Sequence, residues 1–183
     1  MNLTVLRVKH FSNKKNTLTI TTVAIFCALS IVVSFLEMSI PSFLLLPPGS
    51  KMGFSNIITM FVCSALGILP ALAIVLTKSL FVFMMKGFTA FLMSFSGGLL
   101  SAIVVYVLFN CRTFSTRFVL TGITGALFHN MGQLLVAVAL TSPCMIYYAP
   151  FLIIFAIITG SITGFALKVI FPKLNKIFTN LKG

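Results

Sequence analysis

Acid is what this chain of 183 residues has least of: it contains no aspartate and one glutamate, Glu37, against 13 lysines and arginines. Charged residues of both signs make up 8% of it, where a soluble domain carries about 25%. These shortages exclude whole classes of function. Chemistry on a Mg²⁺-bound diphosphate needs clustered carboxylates, because that hard cation takes oxygen ligands. One glutamate cannot build such a site. A Gly-rich phosphate loop ending in Lys-Ser/Thr is also missing, so the chain is not expected to hydrolyse ATP itself. The cysteines Cys27, Cys63, Cys111 and Cys144 show no CxxC or other metal spacing and read as small apolar packing residues. No c-type haem motif or cluster spacing is present, so no metal and no cofactor is expected.

What the chain has in abundance is apolar surface, with 59% hydrophobic residues. That places it in the lipid bilayer. The runs 17–38, 54–68, 71–87, 90–110, 118–140 and 147–171 read as spans, with the second and third short. Pro70 suits the start of the third helix. The expectation is an all-α membrane protein, a bundle of six transmembrane helices over 17–171. A basic segment, 1–16, precedes it and a basic tail, 172–183, follows. The first run is long and lacks a small-residue cleavage site behind it, so it is expected to stay as a span rather than be removed as a signal peptide.

A net charge of +12 ordinarily points to nucleic acid. Here the charges cluster at the ends of apolar runs and serve as topology signals instead. With the N-terminus inside, Arg7, Lys9, Lys14, Lys15, Arg112, Arg117, Lys168, Lys173, Lys176 and Lys182 fall on the cytoplasmic side. Only Lys51 and Lys86 fall outside, and Lys78 lies within a span. Both termini are therefore expected in the cytoplasm of a cell-membrane protein. The stretch LPPGSKMGFSN, 46–56, becomes the first outer loop.

Polar groups inside a bilayer are costly, so each asks for a reason. In the fifth run Gly122, Gly125, Ala126, His129, Gly132 and Gln133 recur at steps of three and four, making one small-and-polar face. At ~1.5 Å per residue His129 lies about 17 Å above Phe118, in the outer half of the membrane. One reading is helix packing, since glycines permit close approach and polar side chains bond across interfaces. The other is a ligand site built on His129, Asn130 and Gln133. The position of the remaining polar residues favours the second. Ser94, Ser96, Gly97 and Gly98 fall at the same depth in the fourth run, although lone serines often bond back to their own helix. Tyr147 opens the sixth, where tyrosine also serves as an interface belt residue. Asn56 opens the second, beside Lys51. Lys78 stands mid-span, where it can pair with Glu37, reach outward along its stem, or hold an anion. One acid cannot neutralise Lys51, Lys78 and Lys86, so an outer cavity there is electropositive and suits an anionic or polar small molecule.

Low in the first run, Ala24 and Ala28 form an Ala-x-x-x-Ala pair, which permits close approach of another helix. Together with the runs LLLPPGSKMGFSNIITMF, LTKSLF, SFSGGLLS, GALFHNMGQL and YYAPFL, over about residues 17–170, these features resemble the Gx transporter family, often labelled heptaprenyl diphosphate synthase component I. More broadly they resemble the substrate-binding (S) components of energy-coupling factor (ECF) transporters. The resemblance implies a subunit that binds a micronutrient from outside, pairs with a transmembrane T subunit and two cytosolic ATPases, and topples to release its ligand inside. It implies that Ala24 and Ala28 meet the T subunit and that Lys51 and Asn56 contact the ligand under the first outer loop. A different reading is a non-catalytic membrane accessory subunit in isoprenoid, quinone or flavin-linked redox metabolism. A third is a stand-alone carrier.

Overall fold

The computed structural model describes the backbone of residues 13–39, 53–111 and 117–180, and the side chains of 19–39, 53–111 and 117–172. Among them the chain forms six α-helices and no strand: α1 Asn13–Ser39, α2 Asn56–Leu66, α3 Ile68–Lys86, α4 Phe88–Asn110, α5 Phe118–Leu140 and α6 Ala149–Asn180. A 3₁₀ turn, Pro143–Tyr148, leads into α6.

The packing is inside out relative to a water-soluble bundle. On α1 the buried residues are Ser30, Ser34 and Glu37, at steps of four and three. The residues turned outward are Ile20, Ile25, Leu29, Val32, Phe35 and Leu36. On α6 Thr159, Gly160, Thr163 and Gly164 face in, while Ile153, Ile154, Ile157, Ile158, Ile162 and Phe165 face out. A helix that hides hydroxyls and displays isoleucines is stable in hydrocarbon, where apolar contact costs nothing and an unpaired polar group costs several kcal/mol. Among the described residues, five segments are long and apolar enough to cross a membrane. The protein is a multi-pass membrane protein.

The second helix is too short to cross alone. Its 11 residues reach only ~16 Å, about half of a hydrocarbon core. It is buried along most of its length and touches all five other helices. Ile58, Phe61 and Val62 make up the heart of the apolar core with Ala71, Ile74, Val105 and Leu167. Tight corners tie α2 to α3 and α3 to α4. Gly67 and Gly87 stand at φ +97° and +83°, a backbone conformation that side chains resist, and each turns the chain between helices in a single residue.

Around this centre α3, α4, α5 and α6 pack in sequence order, and α1 leans on α2 and α3. The α5–α6 seam is the tightest. A Cβ at Gly122 would stand 2.3 Å from the Gly160 carbonyl oxygen, and one at Gly164 would stand 2.6 Å from Val119 Cα. Helices without large side chains at their contact gain dispersion contacts between backbones, the main attraction available to helices in lipid.

The ends of α6 depart from the sequence reading. Its start is delayed to Ala149 because Ser142 caps the preceding turn, accepting from the Cys144 N–H at 3.3 Å. Its end passes through Pro172 and into the basic tail as far as Asn180. A proline removes one N–H from the ladder and strains it locally, but does not oblige the helix to stop.

Candidate functional site

Glu37, in the last turn of α1, sends its carboxylate to three consecutive backbone N–H groups. Gly53 donates to Oε1, Phe54 donates to Oε1 at 3.2 Å, and Ser55 donates to Oε2 at 3.5 Å. These amides lie just before α2, and the Asn56 N–H closes the turn on the Gly53 carbonyl at 2.9 Å. The only acid of the chain thus anchors the entry to the central helix, at the end where the helix dipole is positive. Sequence reasoning offered Glu37 to Lys78; the structure gives its oxygens to the backbone. Clustered amides in a nonpolar interior need an acceptor at least as much as a lysine does.

Gly53 also rests against α5. A Cβ there, already disfavoured at φ +90°, would come to 3.3 Å from His129 Cδ2. The His129 ring is buried, and Gln133, one turn on, meets its Nε2 at 2.6 Å. On its other side the histidine faces α4, where a Cβ at Gly97 would be 3.0 Å from His129 Nδ1. The neighbouring Gly98 faces α3, and a Cβ there would be 3.5 Å from Lys78 Cε. The Gly97–Gly98 pair therefore leaves space for His129 on one side and Lys78 on the other.

Lys78 is 1% exposed, the largest fully buried side chain among the described residues. Its ammonium donates to Thr59 Oγ1 of α2 at 3.3 Å. One turn earlier on α2, Asn56 donates from Nδ2 to Ser101 Oγ of α4 at 2.6 Å. Its Oδ1 is buried without a hydrogen-bond partner. Beside Lys78, Ser79 donates to Ser94 Oγ at 3.3 Å. Five helices thus contribute buried polar side chains to the interior region around α2: Glu37, Asn56, Thr59, Lys78, Ser79, Ser94, Ser101, His129 and Gln133. It holds a cationic amine, an imidazole, amides and hydroxyls, and its one carboxylate is engaged by backbone donors.

Of the residues singled out in the sequence, Asn56, Lys78, Ser94, His129 and Gln133 lie in this region. Others point elsewhere. Asn130 turns to α6 and donates from Nδ2 to the Leu152 carbonyl at 2.9 Å, since adjacent helical residues lie about 100° apart. Ser96 donates to the Gly132 carbonyl of α5 at 3.0 Å and to Met93 of its own helix at 3.2 Å, so it ties α4 to α5. Tyr147 lies on the 3₁₀ turn and is 78% exposed, as a belt residue would be. Lys51 lies outside the described residues. Ala24 and Ala28 are both exposed on the outer surface of α1.

Sequence reasoning passed over Thr59, Ser79 and Ser101. Two of them carried a signal. Ser101 continues the face of Ser94, Gly97 and Gly98 at the next helical step, and Thr59 follows Asn56 by three. No group of three His, Cys, Asp or Glu side chains placed to hold a metal occurs among the described residues.

The model of one protein family, described as heptaprenyl diphosphate synthase component I, matches residues 26–170. No curated protein and no solved structure matches the chain.

Proposed function

The chain belongs to the heptaprenyl diphosphate synthase component I family, and on that premise we propose that it is the substrate-binding membrane subunit of an ECF-type importer. It binds a small polar or anionic molecule in the region around Lys78 and His129, from the outer side of the cell membrane, with both termini in the cytoplasm. The observation that carries this reading is the burial of Lys78 at 1% exposure among polar groups from several helices. A pure packing role has no use for an ammonium at that depth, where a leucine or methionine serves better at no desolvation cost. A polar region that must accept and release a guest does have such a use.

Ala24 and Ala28 leave an open small-residue strip on α1, suited to a transmembrane T subunit linked to two cytosolic ATPases. In this reading the protein is not an enzyme. With no aspartate and Glu37 held by backbone amides, no pair of carboxylates is available for a Mg²⁺-diphosphate.

The family's description favours a second reading, a non-catalytic accessory subunit of a prenyl diphosphate synthase. One experiment separates them. The full chain is purified in mild detergent from its own cells, and co-purifying small molecules and proteins are identified by mass spectrometry. A bound small polar molecule together with ATPase and T subunits supports the importer. A soluble prenyltransferase partner, with no small molecule and no ATPases, overturns it.

A further inference from the structure

Away from the polar core, at the opening of α5, lies an open surface cavity of about 270 Å³ lined by Arg117, Phe118, Val119, Leu120 and Lys168, with both cations exposed. We infer that this cavity is a binding site for a phosphate-type oxyanion, the headgroup of an anionic phospholipid. The glycine seam creates it. Gly164 lies against Val119 Cα and the Phe118 carbonyl, so the backbones of α5 and α6 touch there. One turn further along α6, Lys168 arrives beside the first turn of α5. Arg117 immediately precedes that turn.

The chemistry of the lining is that of an anion receptor. The first N–H groups of an α-helix have no partner within it, and the helix dipole adds partial positive charge at the same place. No side-chain cap occurs at Arg117 among the described residues. Two full cations flank these donors, one a guanidinium whose fork matches two phosphate oxygens. No acidic side chain can neutralise them, because the chain's single acid is engaged at Gly53–Ser55. The rest of the lining, Phe118, Val119 and Leu120, is apolar, and Leu120 is 42% exposed. A basic pocket between membrane helices, with apolar residues leading away from it, fits a headgroup whose acyl chains run down the bundle. His129 lies 12 residues further along α5, about 18 Å away along the axis, so the cavity is separate from the polar core.

The test uses the full chain as wild type, as Arg117→Gln/Lys168→Gln, as the charge-preserving Arg117→Lys/Lys168→Arg, and as Lys86→Gln. The last removes a cation elsewhere. Phosphatidylglycerol and phosphatidylcholine are titrated separately and the bound lipid is counted by native mass spectrometry. Inorganic phosphate is titrated in a parallel arm and read by thermal shift. Each basic residue near an anionic surface is worth about fivefold in binding, so the double neutral variant is expected to lose roughly 25-fold for phosphatidylglycerol. The charge-preserving variant and Lys86→Gln are expected to stay within about threefold of wild type. Phosphatidylcholine is expected to be indifferent to all three. If inorganic phosphate shows the variant dependence and phosphatidylglycerol does not, the oxyanion site stands but the lipid assignment is overturned. If neither ligand distinguishes wild type from the double variant, the site is overturned. Should the double variant fold poorly, Arg117→Gln and Lys168→Gln are read singly, each at about fivefold.

Discussion

Replacing Glu37 by alanine should loosen the entry to α2 more than any other removal of a single polar group. The carboxylate accepts from Gly53, from Phe54 at 3.2 Å, and from Ser55 at the 3.5 Å limit where little energy remains. A hydrogen bond to a charged group is worth roughly 1.5–3 kcal/mol net. Two effective bonds give about 3–6 kcal/mol, and local rearrangement that re-pairs some of the amides brings the expected loss to about 3 kcal/mol. For a chain of this length that lowers the melting temperature by roughly 6–12 °C. Glu37→Gln keeps one acceptor oxygen and is expected to lose about half as much. The assay is thermal unfolding in detergent, paired with hydrogen exchange of the Gly53, Phe54 and Ser55 amides. Protection at those amides should fall by about 100-fold in Glu37→Ala if opening is local. The reasoning is refuted if Glu37→Ala melts within about 1 °C of wild type and the amides stay protected.

The remaining expectations concern the site, the partner face and the seam. Lys78→Met and His129→Ala are each expected to cut retention of the co-purifying small molecule by at least about tenfold while leaving expression intact, measured by mass spectrometry of the purified protein. Normal retention in both variants removes the proposed site. Ala24→Leu with Ala28→Leu is expected to spare that retention but to block assembly with the T subunit, read by pull-down in mild detergent. An intact assembly rules out the partner role of those alanines. Gly160→Leu is expected to destabilise the bundle by about 3 kcal/mol or more, read by denaturant unfolding, because its Cβ would stand 2.5 Å from Ile123 Cα and neither backbone can yield alone. A wild-type midpoint would show that the α5–α6 contact is looser than described.

The features legible in the sequence are those carried by periodicity and length. The fifth helix begins and ends at the residues read for it, Phe118 and Leu140, because apolar residues fill it from a basic edge to a polar turn. The second is legible as short, and its 11 residues follow from a Ser-Asn start and a glycine corner at Gly67. The polar face of α5 was legible for the same reason, since His129 and Gln133 fall one turn apart. Side-chain direction was not. Asn130 is adjacent in sequence to His129, yet its amide serves α6, and Ser96, two residues past Ser94, serves α5. Polarity marks a residue that needs a partner, and the partner is chosen by neighbours that a sequence does not place. Glu37 is the clearest example. Charge counting offered it three cations, whereas the fold gives it the Gly53–Ser55 amides, which become a cluster only once the loop has turned.

That use of the single acid bears on what the buried region accepts. A carboxylate at the N-terminal end of a short buried helix is a built-in anion at an anion-favouring place. The acid serves helix-end amides, and Lys78 donates to Thr59 Oγ1 of the same helix at 3.3 Å. A neutral guest gains only hydrogen bonds there, whereas an anionic one also gains the Coulombic term, worth about 4 kcal/mol for unit charges 4 Å apart at an effective dielectric of 20. The same arithmetic makes Lys78→Met the variant that discriminates guests. It should weaken an anionic molecule far more than a neutral one of the same shape, and equal losses for both would show that the lysine acts by shape alone.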